Sequence, residues 1–205
     1  ERNKLKIFPY KTIGKLVLAL DKDFGTLPEL KNIIGLQQDY PPHNDTVDIH
    51  TQKVVTEMKA LKYYQQASNN IQKILLFAAY LHDMGKGPKN KWENGKMIRA
   101  YPDHPADAIP MLKRILTEEI ANLSDDDIRK ICMLVVYHDI VGECMEKGRD
   151  IEQIARIITN KEDLDLLFAI SIADTKAINS QWATNIIDGK DDFYKKVLDS
   201  KGKLQ

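Results

Sequence analysis

Apolar residues recur at steps of three and four along almost the whole chain, and that period restricts it to helices packed on helices. Val47, Val54, Met58 and Leu61 make one such stripe, and Ile71, Leu75 and Ala78 a second. Ile128, Ile131 and Val135 make a third, and Leu164, Leu167 and Ile178 a fourth. Alternating β-branched runs joined by hairpin turns are absent, so the expected fold class is all-α. The pattern predicts main helices over 46–64, 70–82, from 104 onward, from after Ser124 to about 138, and over 163–178. Shorter ones are expected at 11–20, 28–34, 151–158, 181–187 and 192–199. Pro28 suits a first helical turn, Pro41-Pro42 breaks the chain, and Pro110 is expected to kink the helix that starts at His104. Residues 84–103 read as a loop of roughly 20 residues, a length that is usually functional or disordered. The organisation expected is an N-terminal helical extension over 1–45 and a helical core with C-terminal helices over 46–205.

Thirty Lys and Arg balance thirty Asp and Glu, which argues against broad electrostatic capture of nucleic acid. A local basic cluster remains: Lys86, Lys89, Lys91, Lys96 and Arg99 all fall in the long loop. Two cysteines, Cys132 and Cys144, make neither a disulfide framework nor a zinc pair, and Cys132 is expected in the core. No apolar run approaches the roughly 18–20 residues that cross a bilayer. The start, ERNKLKIF, carries charge without a following apolar run, so no signal peptide is expected. It also lacks Met, so the natural N-terminus is expected to lie further upstream. A cytoplasmic location and no membrane partner are expected.

Each apolar stripe carries a candidate ligand, and the fourth also includes Ser171. His50 belongs to the first, His82 ends the second, His138 ends the third and Asp174 lies in the fourth. If the helices share one core, all four point inward. A buried imidazole is tolerable, but a buried carboxylate needs a partner, and no Arg or Lys shares the stripe of Asp174. A bound cation would satisfy Asp174 and Asp83 together. Singly, each residue has an ordinary explanation: a hydrogen-bonded core histidine, an Asp174 that caps a neighbouring helix, an Asp83 that starts the Met84-Gly85 turn. Six such residues over five helical segments, His104 among them, are far harder to explain one by one.

The order His50, His82-Asp83, His104, His138, Asp174 resembles the HD-domain superfamily, and AAYLHDMGKG over 78–87 looks like its signature. The section PELKNIIGLQQDYPPHNDTVDIHTQKV further resembles the HD region of bacterial tRNA nucleotidyltransferases. No Gly-Ser pair followed by an Asp-x-Asp pattern occurs in this sequence, so nucleotide addition is not expected of it. The resemblance implies a metal-dependent phosphohydrolase with His50, His82 and Asp174 on one ion, His104 and His138 on a second, and Asp83 bridging. A second pair, His138-Asp139, has Glu143 where the signature has Lys, so Asp139 is expected outside the ligand set.

Mixed imidazole and carboxylate ligation suits divalent first-row ions: Fe, Mn, Co, Ni or Zn. Two ions about 3.5–4 Å apart can share a water and make a metal-bound hydroxide near neutral pH. Asp83 and Lys86 are the expected catalytic residues. Lys86, Lys89, Arg99 and His43 are the expected substrate contacts, and Trp92 either stacks on a base or anchors the loop. The expected substrate is a small-molecule nucleotide or an RNA-end phosphate, as a monoester or a cyclic diester. Two rivals share these residues: an HD-type di-iron oxygenase, and a non-catalytic module that binds RNA or a partner protein.

Overall fold

The structure, a computed structural model, describes residues 6–204, so the first five residues of the expected extension and Gln205 lie outside it. Twelve α-helices form among the described residues. In chain order they are α1 (Ile13–Lys22), α2 (Pro28–Lys31), α3 (Val47–Ala60), α4 (Lys62–Gln66), α5 (Asn69–Leu81) and α6 (His104–Glu118). These are followed by α7 (Asp125–Val136), α8 (Ile140–Glu146), α9 (Ile151–Ile157), α10 (Lys161–Ile178), α11 (Ser180–Asp188) and α12 (Lys190–Leu204). No helix among them is long and apolar enough to cross a membrane.

The most apolar segment becomes the central helix. Ser68 caps α5 by accepting from the Ile71 N–H, and every residue from Ile74 to Leu81 is buried. A helix apolar all round must be covered all round, and α1, α3, α7 and α10 lie against it. The leading residues share this core: Leu16, Val17 and Leu20 of α1 and Leu27, Leu30, Ile33 and Leu36 are all buried. Cys132 is half-buried and packs against the core rather than inside it.

Caps fix the other long helices. The Ser124 hydroxyl accepts from the Asp127 N–H ahead of three acidic residues that favour the positive end of α7. Asn160 caps α10 in the same way. Helix α6 runs through Pro110 as one helix.

Three features depart from the periodic reading. The helix expected over 46–64 splits because Leu61 is extended, which turns Tyr63 and Tyr64 onto the core. Helix α8 has no counterpart in the periodic pattern, because IVGECME is too short and interrupted by Gly142 to display a period. Within the long loop, Lys96–Met97 pairs in parallel with Gln37–Gln38. Strands of two residues leave no alternation to detect.

The result for function is geometric. The first turns of α3 and α6, the ends of α5 and α7 and the last third of α10 meet at one end of the bundle.

An ion pair between a partly exposed arginine and a fully buried carboxylate ties α7 to the start of α10. Arg129 donates from Nη1 to Asp163 Oδ2 at 2.8 Å and from Nη2 to Oδ1 at 3.1 Å, and Thr159 donates to the same carboxylate. Burial alone would push the Asp163 carboxyl up, but Arg129 and Thr159 outweigh it and hold it below the usual carboxylate range. Because the folded-state pKa is depressed, this carboxylate stabilises the fold above its unfolded pKa and stops doing so as pH falls through the folded value. Asp163→Asn is therefore expected to cost about 2–3 kcal/mol at pH 7, below the full buried-pair cost because Arg129 can reach solvent. Denaturant titrations of both proteins from pH 7 to pH 3 should show that gap closing below about pH 4.

Candidate metal centre

Histidines at helix ends meet carbonyls that have no intrahelical donor. His82, just past α5, places Nδ1 2.7 Å from the Ala79 carbonyl oxygen, and His138, just past α7, places Nδ1 2.8 Å from that of Val135. His104, the first residue of α6, makes the same contact to the Tyr101 carbonyl at 2.7 Å. A carbonyl only accepts, so each Nδ1 must carry the proton. In the neutral ring each Nε2 is then a lone pair aimed at the site.

Those lone pairs converge on carboxylates. Asp83 Oδ2 lies 3.4 Å from His82 Nε2 and 3.7 Å from His50 Nε2. Its other oxygen, Oδ1, lies 3.2 Å from His104 Nε2 and 3.7 Å from His138 Nε2. Asp174 Oδ1 closes the first group, 2.8 Å from His50 Nε2 and 3.5 Å from His82 Nε2. Two clusters result, His50 with His82 and Asp174, and Asp83 with His104 and His138. Asp83 stands between them with one oxygen toward each.

Beyond the hydrogen bond between His50 and Asp174, these groups satisfy one another poorly. His104 and His138 bring their Nε2 atoms to 3.2 Å, where two lone pairs repel unless a proton or cation lies between them. His82 Nε2 is buried and has no hydrogen-bond partner. Burial by itself would push the His82 imidazole down and the Asp83 and Asp174 carboxyls up. Their mutual attraction wins, holding His82 well above its ordinary value and both carboxyls well below theirs. The cluster calls for positive charge. Nitrogen and oxygen donors at these spacings fit divalent first-row ions, and such ions would displace the protons.

Lys86 is buried beside this centre. Its Nζ donates to Asp83 Oδ2 at 3.0 Å and to Gln38 Oε1 at 2.9 Å. Burial would lower its pKa, but Asp83 raises it, so it stays charged. Gln38, carried on the short strand, also donates from Nε2 to the Asp45 carbonyl and so anchors the segment before α3. His43 is half-buried between the rings of Tyr40 and His50. Burial, then Lys86 and His50, push its imidazole down to about 4, so it meets the site as a neutral ring. A cavity of about 120 Å³ opens beside it, lined by Pro42, His43, Asn44, Asp45, His50 and Lys53 among others.

The structure thus brings together His50, His82, Asp83, Lys86, His104, His138 and Asp174, with His43 at the edge. It does not bring in Lys89 or Arg99. Both are exposed on the loop, and no hydrogen bond or ion pair joins either to the centre. Lys89 lies along Gly95, and Arg99 borders a separate surface cavity of about 270 Å³ with Lys91, Trp92 and Lys96. Trp92 is an anchor: its indole N–H donates to the Lys86 carbonyl at 2.7 Å and its ring meets Tyr101 edge-on. Gln38, Tyr40 and Asp139 also reach the centre. For Asp139 the signal was present, in the repeated His-Asp pair.

Comparison with models of protein families finds no match, and comparison with solved structures finds none. Among curated proteins, the chain is similar to the bifunctional uridylyltransferase/uridylyl-removing enzyme of Cereibacter sphaeroides, at 21% identity over 168 residues. The match covers 74% of this chain and 17% of that protein, so the chain spans a small part of its relative's length.

Gly85 is where the turn after His82-Asp83 touches α6. A methyl there would stand 1.8 Å from the His104 carbonyl oxygen. Gly85→Ala must separate the two elements that hold the second cluster. It is expected to cost about 3 kcal/mol and to weaken Mn²⁺ binding, measured by denaturant unfolding and calorimetric titration.

Proposed function

We propose that this chain is a metal-dependent phosphohydrolase of the HD type, acting on a nucleotide or RNA-end phosphate as a monoester or cyclic diester. One observation carries the reading: a buried aspartate, Asp83, turns one oxygen to each of two histidine pairs whose Nε2 atoms lie 3.2–3.7 Å from it. His50, His82 and Asp174 would hold one first-row ion, His104 and His138 the other, with Asp83 shared. Bound together, the two ions would lower the pKa of a shared water toward neutrality and polarise the phosphoryl oxygens.

The chain's own residues do the rest. The three carbonyl-bound imidazoles keep their rings fixed and their Nε2 atoms unprotonated when neutral. Lys86 holds Asp83 in place and offsets its charge next to an incoming phosphate. His43 and Tyr40 form a neutral wall at the mouth, where the cavity beside His50 leaves room for part of a substrate. The relative's name supports phosphoester cleavage, since removing a uridylyl group breaks a bond to phosphorus. That relative differs from the tRNA nucleotidyltransferases that the Pro-Pro section resembles.

The first test is elemental analysis of protein purified without chelator under low oxygen, with about two first-row ions per chain expected. The loaded protein should hydrolyse a nucleoside 2′,3′-cyclic phosphate or a nucleoside monophosphate. Asp83→Asn should lower kcat/KM about 10²–10³-fold with the helical circular dichroism retained. Oxygen uptake with a strict iron requirement would replace this reading by an oxygenase. A metal-free protein that keeps its function after Asp83→Asn would leave only a binding module.

A further inference from the structure

The second His-Asp pair repeats the first in structure as well as in sequence. His82 follows α5 and bonds Nδ1 to the carbonyl three residues back; His138 follows α7 and does the same. Asp83 then precedes a short turn of helix over Met84–Lys86, and Asp139 precedes α8. An Asp in that place ordinarily accepts from the first free N–H groups of its helix. Neither does: Asp83 and Asp139 both stand at the N-cap without a side-chain cap bond. Asp83 turns its carboxylate to the metal centre instead, and so does Asp139.

The contacts of Asp139 are specific. Its Oδ2 lies 3.4 Å from His138 Nε2 and 3.8 Å from His104 Nε2. These are the two atoms that stand 3.2 Å apart with facing lone pairs. Asp139, His138 and Asp174 also place donor atoms within 4.8 Å of one another, so the carboxylate overhangs the gap between the clusters. Among the described residues no Lys or Arg pairs with it, although its side chain is 39% exposed and a surface cation could reach it. Donors to one small divalent ion sit roughly 3 Å or slightly more apart, which is the spacing found here.

The two clusters are unequal without it. His50, His82, Asp174 and Asp83 Oδ2 give the first cluster four donors. The second has only His104, His138 and Asp83 Oδ1. We infer that Asp139 is the fourth protein donor to the second cluster, giving each ion two imidazoles and two carboxylates. The inference rests on the two-ion reading above and adds a seventh ligand to the six that the motif supplies. It also makes the second ion the one whose retention depends on a solvent-facing residue, and so the more readily lost.

The test is calorimetric titration of the metal-free chain with Mn²⁺ alone, comparing the unchanged protein with Asp139→Asn and His50→Asn. Circular dichroism checks the fold of each; because Asp139 is partly exposed and caps nothing, its variant should fold. The unchanged protein is expected to take up two ions. Asp139→Asn should keep the first affinity and weaken the second about 10–100-fold, whereas His50→Asn should weaken the tighter site. Two unaltered affinities in Asp139→Asn would overturn the inference and leave the two-ion reading standing. Unaltered affinities with lower hydrolysis and a shifted pH profile would overturn it in favour of a proton-carrying role. A single Mn²⁺ in the unchanged protein would remove the second site and this inference with it, and none at all would remove the proposed metal function as well.

Discussion

The structure turns on one buried carboxylate. Asp83 is almost fully enclosed, and it faces His50 and His82 with one oxygen and His104 and His138 with the other. A charge so placed is costly unless it is compensated from several directions. Here compensation comes from four different helical segments and from Lys86, so removing any one element exposes the others' unmet donors. The bundle end is organised around that requirement. Gly85 lets α6 approach the turn, Gln38 holds the ammonium of Lys86, and Trp92 ties the loop back to the Lys86 carbonyl.

Helix termini supply the directional part of the design. A helix ends with carbonyls that lack partners and with a partial negative charge. At α5 and α7 the histidine that follows uses such a carbonyl to fix its ring, and the helix end itself favours positive charge nearby. Two C-terminal helix ends aimed at one point therefore make a place for cations before any carboxylate is counted. Asp83 and Asp174 then add full charges to that field. The same reasoning explains why the lone pairs of His104 and His138 can be held face to face. The backbone contacts at Tyr101 and Val135 fix the rings, and the repulsion at their other nitrogens is left for a ligand to relieve.

Much of this was legible in the sequence, and the illegible part has a common cause. His50, His82, His138 and Asp174 interrupt apolar stripes, so helical period alone aims them at the core. The pairing of α5 with its neighbours follows from its being apolar on every face. What the period cannot report is a contact made by irregular backbone. Gln38 meets Lys86 across 48 residues through a strand of two residues, too short to leave a pattern. Lys89 and Arg99 lie near Lys86 in sequence and carry the charge a phosphate contact needs. In the folded loop the chain passes through short helical turns at Lys89–Lys91 and Glu93–Gly95 and a two-residue strand at Lys96–Met97, and both side chains are exposed. Proximity in sequence is a poor guide where the backbone changes direction every three residues.

Asp139 differs from Asp83 in sequence context and in exposure. Its sequence context departs from the signature at one position, Glu143 in place of Lys, and that departure set it apart from Asp83. Yet the lysine and the aspartate do separate work. Lys86 neutralises a carboxylate that is nearly inaccessible to water, and Asp139 is exposed enough to need no such partner. The absence of a lysine after the second pair is what the solvent exposure of its aspartate would require. A motif read as one unit hides this, because its residues answer to different local demands. Read residue by residue, the second His-Asp pair keeps the two groups that face the centre and drops the one that burial made necessary.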